Sequence, residues 1–167
     1  MLNPRSLSSL IAGELNLRGD SSKFLVVFDD GEHDLGAWSK VSGLSVQWDM
    51  LEYRRGESTG VWTAPGLPKY QKISLSRATC PDSQLVQTWL GETAKQPKVF
   101  SGSIKLLSWA GLPLCEWNLK AFVPIGWKIA DFDTKAATVV VETLDLAHSG
   151  FLDDDLKFPA PASGGAW

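Results

Sequence analysis

A strict alternation over residues 44–53 constrains this chain more than any other feature. One parity carries Leu44, Val46, Trp48 and Met50, and the other carries Ser45, Gln47 and Asp49. Successive side chains of an extended strand point to opposite faces, so the pattern predicts a half-buried β-strand with one face inward and one meeting water. Ile73, Leu75 and Arg77 alternate with Ser74, Ser76 and Ala78 in the same way, which predicts a second strand. Residues 54–70 are then expected to form a projecting loop, too long for a tight hairpin turn. Arg54, Arg55, Glu57, Trp62, Pro65, Gly66, Pro68, Lys69 and Tyr70 give it paired charges, an exposed indole and stiff Pro-Gly corners. Such a loop suits contact with another molecule.

Around this stretch the chain reads as further strands and one helix. Residues 23–29, KFLVVFD, are β-branched and aromatic and end in the turn cluster Asp29-Asp30-Gly31-Glu32. Ser42-Gly43 marks a bend between successive strands. Leu85, Val86, Trp89 and Leu90 recur at helical spacing behind Pro81 and Asp82, which suit a first turn, and Gly91 offers an early stop. Residues 99–109 and 114–123 alternate on either side of Ala110-Gly111-Leu112-Pro113, the clearest hairpin in the chain. Pro124-Ile125-Gly126 is expected to break the second of these strands, leaving a short strand or ordered loop at 127–132. Residues 136–147 predict a long strand with apolar side chains on both faces, buried on both sides somewhere along its length. Strands, one helix, then strands again, with turns at short intervals, predict a mainly β fold: an antiparallel β-sandwich or barrel with one flanking α-helix.

The 167 residues are enough for one domain with a sizeable core. The domain is expected over 21–152. Residues 1–20 are expected to form an N-terminal arm, where Leu7, Leu10, Ile11 and Glu14 point to a short helix that Pro4, Gly13 and Gly19 oppose, and 153–167 an acidic then Pro/Gly-rich tail ending in Trp167. Cys80 and Cys115 lie far apart and outside any CxxC, so they read as buried or free thiols of a reducing cytoplasm. The N-terminus lacks an uninterrupted apolar core and a small-residue cleavage site, so no signal peptide is expected, and no segment reaches membrane-spanning length. With a net charge of −3 and interspersed signs, a tight nucleic-acid partner is not expected. The eight Trp residues are spread along the chain and read as core and subunit-contact packing.

Chemistry is thinly supplied. His33 sits in an acidic turn and His148 at a strand end, each read as a surface or strand-end histidine rather than a catalytic base. Asp153, Asp154 and Asp155 are adjacent, so they cannot all converge on one cation without other ligands. Phosphate-loop, dinucleotide and nucleophile-elbow motifs are absent. No catalytic residue, cofactor or metal is expected.

At Val41-Ser42-Gly43-Leu44, Glu52-Tyr53-Arg54, Pro65-Gly66-Leu67-Pro68-Lys69-Tyr70, Ile73-Ser74-Leu75-Ser76-Arg77 and Glu142-Thr143-Leu144-Asp145-Leu146-Ala147-His148-Ser149-Gly150 the chain resembles the tail-tube protein family of contractile bacteriophages. Inner-tube proteins of phage-like contractile injection systems belong to the same family. The match runs in order over residues 24–151. The resemblance implies a non-enzymatic structural subunit that assembles hexameric rings with a continuous inner β-barrel, stacked into a hollow tube inside a contractile sheath. Its implied partners are copies of itself, the sheath protein, baseplate and cap proteins, and a cargo effector or DNA passing through the lumen. Its implied place is an assembled particle in the bacterial cytoplasm, or a virion tail. By the same analogy Arg54, Arg55, Glu57, Trp62 and Tyr70 would contact the adjacent ring, and Ser45, Gln47, Asp49, Ser74 and Ser76 would line the lumen. A tube-initiator paralogue at the baseplate is the near alternative. From another class comes a carbohydrate-binding β-sandwich module, which would need Trp48, Trp109 and Trp117 exposed together; a hydrolase using His33 or His148 is a third reading.

Overall fold

The computed structural model describes residues 23–54, 56, 60–135 and 138–153. Among them run nine strands and one helix: β1 (Lys23–Phe28), β2 (Asp34–Trp38), β3 (Lys40–Ser42), β4 (Val46–Arg54), β5 (Val61–Tyr70), β6 (Ile73–Ala78), α1 (Ser83–Lys95), β7 (Phe100–Leu107), β8 (Pro113–Ile129) and β9 (Val141–His148). Every strand pair is antiparallel. The N-terminal helix expected on Leu7, Leu10, Ile11 and Glu14, and the tail from Asp154 to Trp167, lie outside the described residues.

Seven strands form one sheet in the order β2-β1-β7-β8-β9-β6-β3. Its two edges, β2 and β3, are consecutive pieces of chain separated by Ser39 alone. One stretch therefore pairs with β1 through its first half and with β6 through its second, and the sheet rolls into a barrel. The wall turns alternate residues inward: Ile73 and Leu75 from β6, as their pattern predicts, Leu144 and Leu146 from β9, and Val26 and Phe28 from β1 are all buried. Phe28, Trp89, Phe100 and Phe122 meet as an aromatic cluster, Phe28 lying 5.3 to 5.5 Å from the other three rings. Edge-on contacts of this kind add to the area they bury.

Helix α1 packs against this core through Val86 and Trp89, three residues apart and on one face. It runs past Gly91, where an early stop was expected. A glycine inside a helix costs only about 1 kcal/mol, which the buried face offsets. The helix ends at Lys95, with Gln96 ahead of Pro97, a position that disfavours helical backbone.

Two further expectations are corrected. Strand β8 does not break at Pro124-Ile125-Gly126 but runs through to Ile129, its register on β9 shifting between Pro124↔Leu146 and Gly126↔Asp145. An irregularity of this kind lets a proline sit in a ladder. Strand β9 starts at Val141, past the expected 136, and one face only is fully buried: Glu142, Leu144 and Leu146 point inward, while Val141 is exposed and Thr143 and Asp145 are half-buried.

Candidate assembly surface

The loop expected over 54–70 is mostly strand. β4 and β5 form a separate two-stranded sheet, a hairpin arm roughly 30 Å long at about 3.4 Å per residue. Pro65 and Pro68, read from the sequence as corners, lie within β5 opposite Met50 and Trp48. The outer edge of β5 carries no partner strand, so missing N–H donors there interrupt nothing. A register shift between Trp48 and Met50 absorbs the Pro65-Gly66-Leu67-Pro68 segment.

The expectation that Trp48 and Met50 face inward is likewise corrected, because a two-stranded ribbon has no interior. Trp48, Met50, Leu51, Tyr53, Val61, Trp62 and Leu67 are all exposed. Cross-strand partners share a face. Near the root, Trp48/Pro68 and Met50/Pro65 make one face apolar, while Gln47/Lys69 and Asp49 make the other polar. Toward the tip the sides exchange: Leu51/Ala64 and Tyr53/Trp62 lie on the face that is polar at the root, and Glu52/Thr63 lie opposite. Lys69 and Asp49 form an exposed ion pair at 2.5 Å, a contact of small energetic weight. The exposed apolar run is the larger fact, since an isolated two-stranded ribbon is marginal in water and gains by covering such side chains.

The arm is fastened at its root. Tyr70, the last residue of β5, packs its ring on His148 and Phe151, with centroids 5.6 and 5.4 Å away. His148 Nε2 donates to the Gln71 carbonyl at 2.8 Å, and Lys72 Nζ reaches Asp145 Oδ2 at 2.9 Å. The Ser74 hydroxyl also bonds Asp145. Lys72 first and Ser74 second hold the Asp145 carboxyl below its ordinary value, against the burial that would raise it. Where the chain enters β4, Gly43 has φ +87°, and a Cβ there would lie 1.9 Å from the Lys72 carbonyl oxygen.

The ten residues singled out from the sequence are distributed as follows. Arg54 ends β4 and Trp62 is exposed near the tip, but Tyr70 belongs to the root, against its own chain; Arg55 and Glu57 lie outside the described residues. Gln47 and Asp49 share the polar face of the arm, and Ser45 precedes β4 with its hydroxyl buried. Ser74 and Ser76 belong to β6, in the barrel wall, on the parity opposite the buried Ile73 and Leu75. Gln47 and Asp49 therefore come from one sheet and Ser74 and Ser76 from the other, with Ser45 on the link into β4, rather than from one row. The root residues Gln71, Lys72, Asp145 and Gly150 were not singled out, although His148-Ser149-Gly150 stood in a motif whose glycine was a signal.

Elsewhere the side chains act as fasteners. His33 Nδ1 lies 2.9 Å from Asp30 and its Nε2 3.4 Å from Glu92, while its ring packs on Phe28 and Phe100, tying the β1–β2 turn to α1. Burial works to raise Asp30, but the Glu32 amide and His33 outweigh it and hold this carboxyl below its ordinary value. Among the described residues no group of three or more His, Cys, Asp or Glu is placed to hold a metal ion. Trp48 is on the arm, Trp109 on the β7–β8 turn and Trp117 half-buried against the core, so they form no common sugar platform.

A closed barrel carrying an apolar ribbon with unpaired edges has the build of an assembly subunit. The model of the T4-like virus tail tube protein gp19 family matches residues 20–152, and the chain belongs to that family. Among solved structures it is similar to a chain of the sheath-tube complex of an extracellular contractile injection system (PVC) in the extended state, at 20% identity and TM-score 0.64, covering 90% of this chain and 96% of that one. It is also similar to a chain of the anti-feeding prophage cap (AFP tube terminating cap), at 25% identity and TM-score 0.58 over 74% of this chain and 81% of the other. A third likeness is to a chain of the PVC sheath/tube terminator, at 23% identity and TM-score 0.59 over 75% and 86%. Curated proteins give no match.

Proposed function

We propose that this chain is the repeating structural subunit of the inner tube of a contractile phage tail or injection system. Residues 21–152 form the tube domain, and 1–20 and 153–167 are extensions of it. Six copies close a ring, rings stack inside a sheath, and baseplate and cap proteins bound the stack. A cargo effector or DNA passes through the lumen. The particle is assembled in the bacterial cytoplasm, and the subunit itself carries out no catalysis. The family match over residues 20–152 is the observation that carries this reading. The arm supports it physically: its exposed apolar faces and free edges are stabilised when neighbouring copies cover them.

Within this reading Arg54, Arg55, Glu57 and Trp62 contact the adjacent ring, and Tyr70 supports them from the root. Gln47, Asp49, Ser74 and Ser76 give the lumen a hydrated, non-adhesive lining, with Ser45 behind them, its hydroxyl buried. Negative-stain electron microscopy of the protein purified alone and from its native lysate tests the proposal. Hollow rods containing this chain in many copies support it; a single ring of it per particle, at the baseplate, would instead assign the initiator role, and dispersed monomers in both preparations would contradict both.

A further inference from the structure

We propose that His148 is the positioning residue of the arm, fixing the direction in which β4 and β5 leave the barrel. The consequence for assembly rests on the tube reading above, but the positioning itself does not. Only Gln71 and Lys72 join β5 to β6. The Gln71 carbonyl accepts from His148 Nε2 at 2.8 Å, so the last strand of the barrel holds the first residue beyond the arm. The other ring nitrogen, Nδ1, is buried without a hydrogen-bond partner, so this bond and the ring contacts orient the imidazole. Those contacts are Tyr70 at 5.6 Å and Phe151 at 6.0 Å. Gly150 makes room for them: its φ is +142°, and a Cβ there would lie 2.8 Å from the Tyr70 ring. Lys72 adds a second tie, its ammonium on Asp145 at 2.9 Å.

These contacts matter because the arm is a sheet of its own, with both faces carrying exposed side chains. An error of angle at the root is multiplied along an arm of roughly 30 Å. Contacts with a neighbouring copy need the tip placed within an ångström or so. His148 touches no tip residue, so it acts through Gln71 and Tyr70, and its substitution loosens the arm while the barrel stays folded.

The test is amide hydrogen exchange on the full chain, with rod formation scored in parallel, for wild type, His148→Ala, His148→Gln and Gly150→Ala. In His148→Ala the amides of β4 and β5 exchange about three- to tenfold faster, the effect of losing one hydrogen bond, while β1 and β7 are unchanged. His148→Gln, whose amide can still donate to the Gln71 carbonyl, restores arm protection. Gly150→Ala displaces the Tyr70 ring and loosens the arm as His148→Ala does. Unchanged arm exchange in both His148→Ala and Gly150→Ala would overturn the proposal. Loosened arms that still build rods of wild-type length would overturn its link to assembly. Loosened arms in a chain whose wild type builds no rods would uphold the positioning role and contradict the tube reading instead.

Discussion

Arg77 and Glu142 meet inside the barrel, where the guanidinium closes a seam that no backbone ladder closes. Its Nε bonds the Glu142 carboxylate, while Nη1 donates to the carbonyls of Leu35 at 2.6 Å and Ala37 at 3.2 Å. Those carbonyls belong to β2, which among the described strands pairs with β1 alone. The guanidinium also lies 4.2 Å from the Trp38 ring centroid, and Trp127 Nε1 donates to the second Glu142 oxygen at 3.2 Å. The Arg77–Glu142 pair thus ties β2, β6, β8 and β9 together.

Removing one member leaves the other charged and buried, since Arg77 is 4% and Glu142 0% exposed. Glu142→Ala is expected to cost about 3–5 kcal/mol of folding stability. Arg77→Met and Glu142→Leu together should recover part of that loss, reduced by the partners that the Leu35 and Ala37 carbonyls and Trp127 Nε1 lose. Urea unfolding of the two single variants and the pair measures both, and a double variant no better than Glu142→Ala would remove the desolvation argument.

The aromatic cluster predicts a loss of similar size by another route. Trp89→Ala opens a cavity between α1 and the barrel beside Phe28 and Phe100, and is expected to destabilise by about 3–5 kcal/mol. Thermal unfolding monitored by circular dichroism checks this; a loss under about 1 kcal/mol would mean that the helix is dispensable to the core.

Trp62 predicts the converse. It is 67% exposed near the tip of the arm, so Trp62→Ala should leave folding stability within about 0.5 kcal/mol of wild type. Rod formation should nevertheless fall sharply. Parallel melting curves and sedimentation separate the two effects, and unchanged sedimentation would take Trp62 out of the contact.

Much of this fold was legible in the sequence because it rests on parity. Ile73, Leu75 and Arg77 alternate with Ser74 and Ser76, and the first three are buried as that pattern requires. The helix was legible from Val86 and Trp89 because a period of three to four survives any environment that covers one face. Parity failed where its premise failed. Met50 alternates as a core residue does, yet it is exposed, because its strand pairs only within the arm. Pro65 and Pro68 misled for a related reason, since turn chemistry and edge-strand tolerance select the same residue. Nothing in its own strand marks Glu142 for burial, and its partner Arg77, 65 residues away, explains it. The arm root was hidden because Gln71 and His148 meet through a backbone carbonyl, which carries no residue signature.

Acid should loosen that root. The Lys72 ammonium first, then the Ser74 hydroxyl, hold Asp145 below its ordinary carboxylate value. A carboxyl depressed in the folded state contributes stability that is present above its unfolded value and lost as pH falls through its folded value. Arm protection in hydrogen exchange should therefore be steady from neutrality down to about pH 4 and decline below it. Asp145→Asn should remove that share of the acid decline while lowering protection at neutral pH. An identical acid profile in the variant would place the titrating group elsewhere.

If the arm is a surface covered by other copies of this chain, a cryo-electron microscopy reconstruction of rods assembled from it will show the cover. Stacked rings of six subunits are expected, in which Trp48, Met50, Tyr53 and Trp62 are buried against neighbouring copies. Rods in which these side chains stay in solvent, or purified protein that assembles no rods even with its native particle as template, would contradict it.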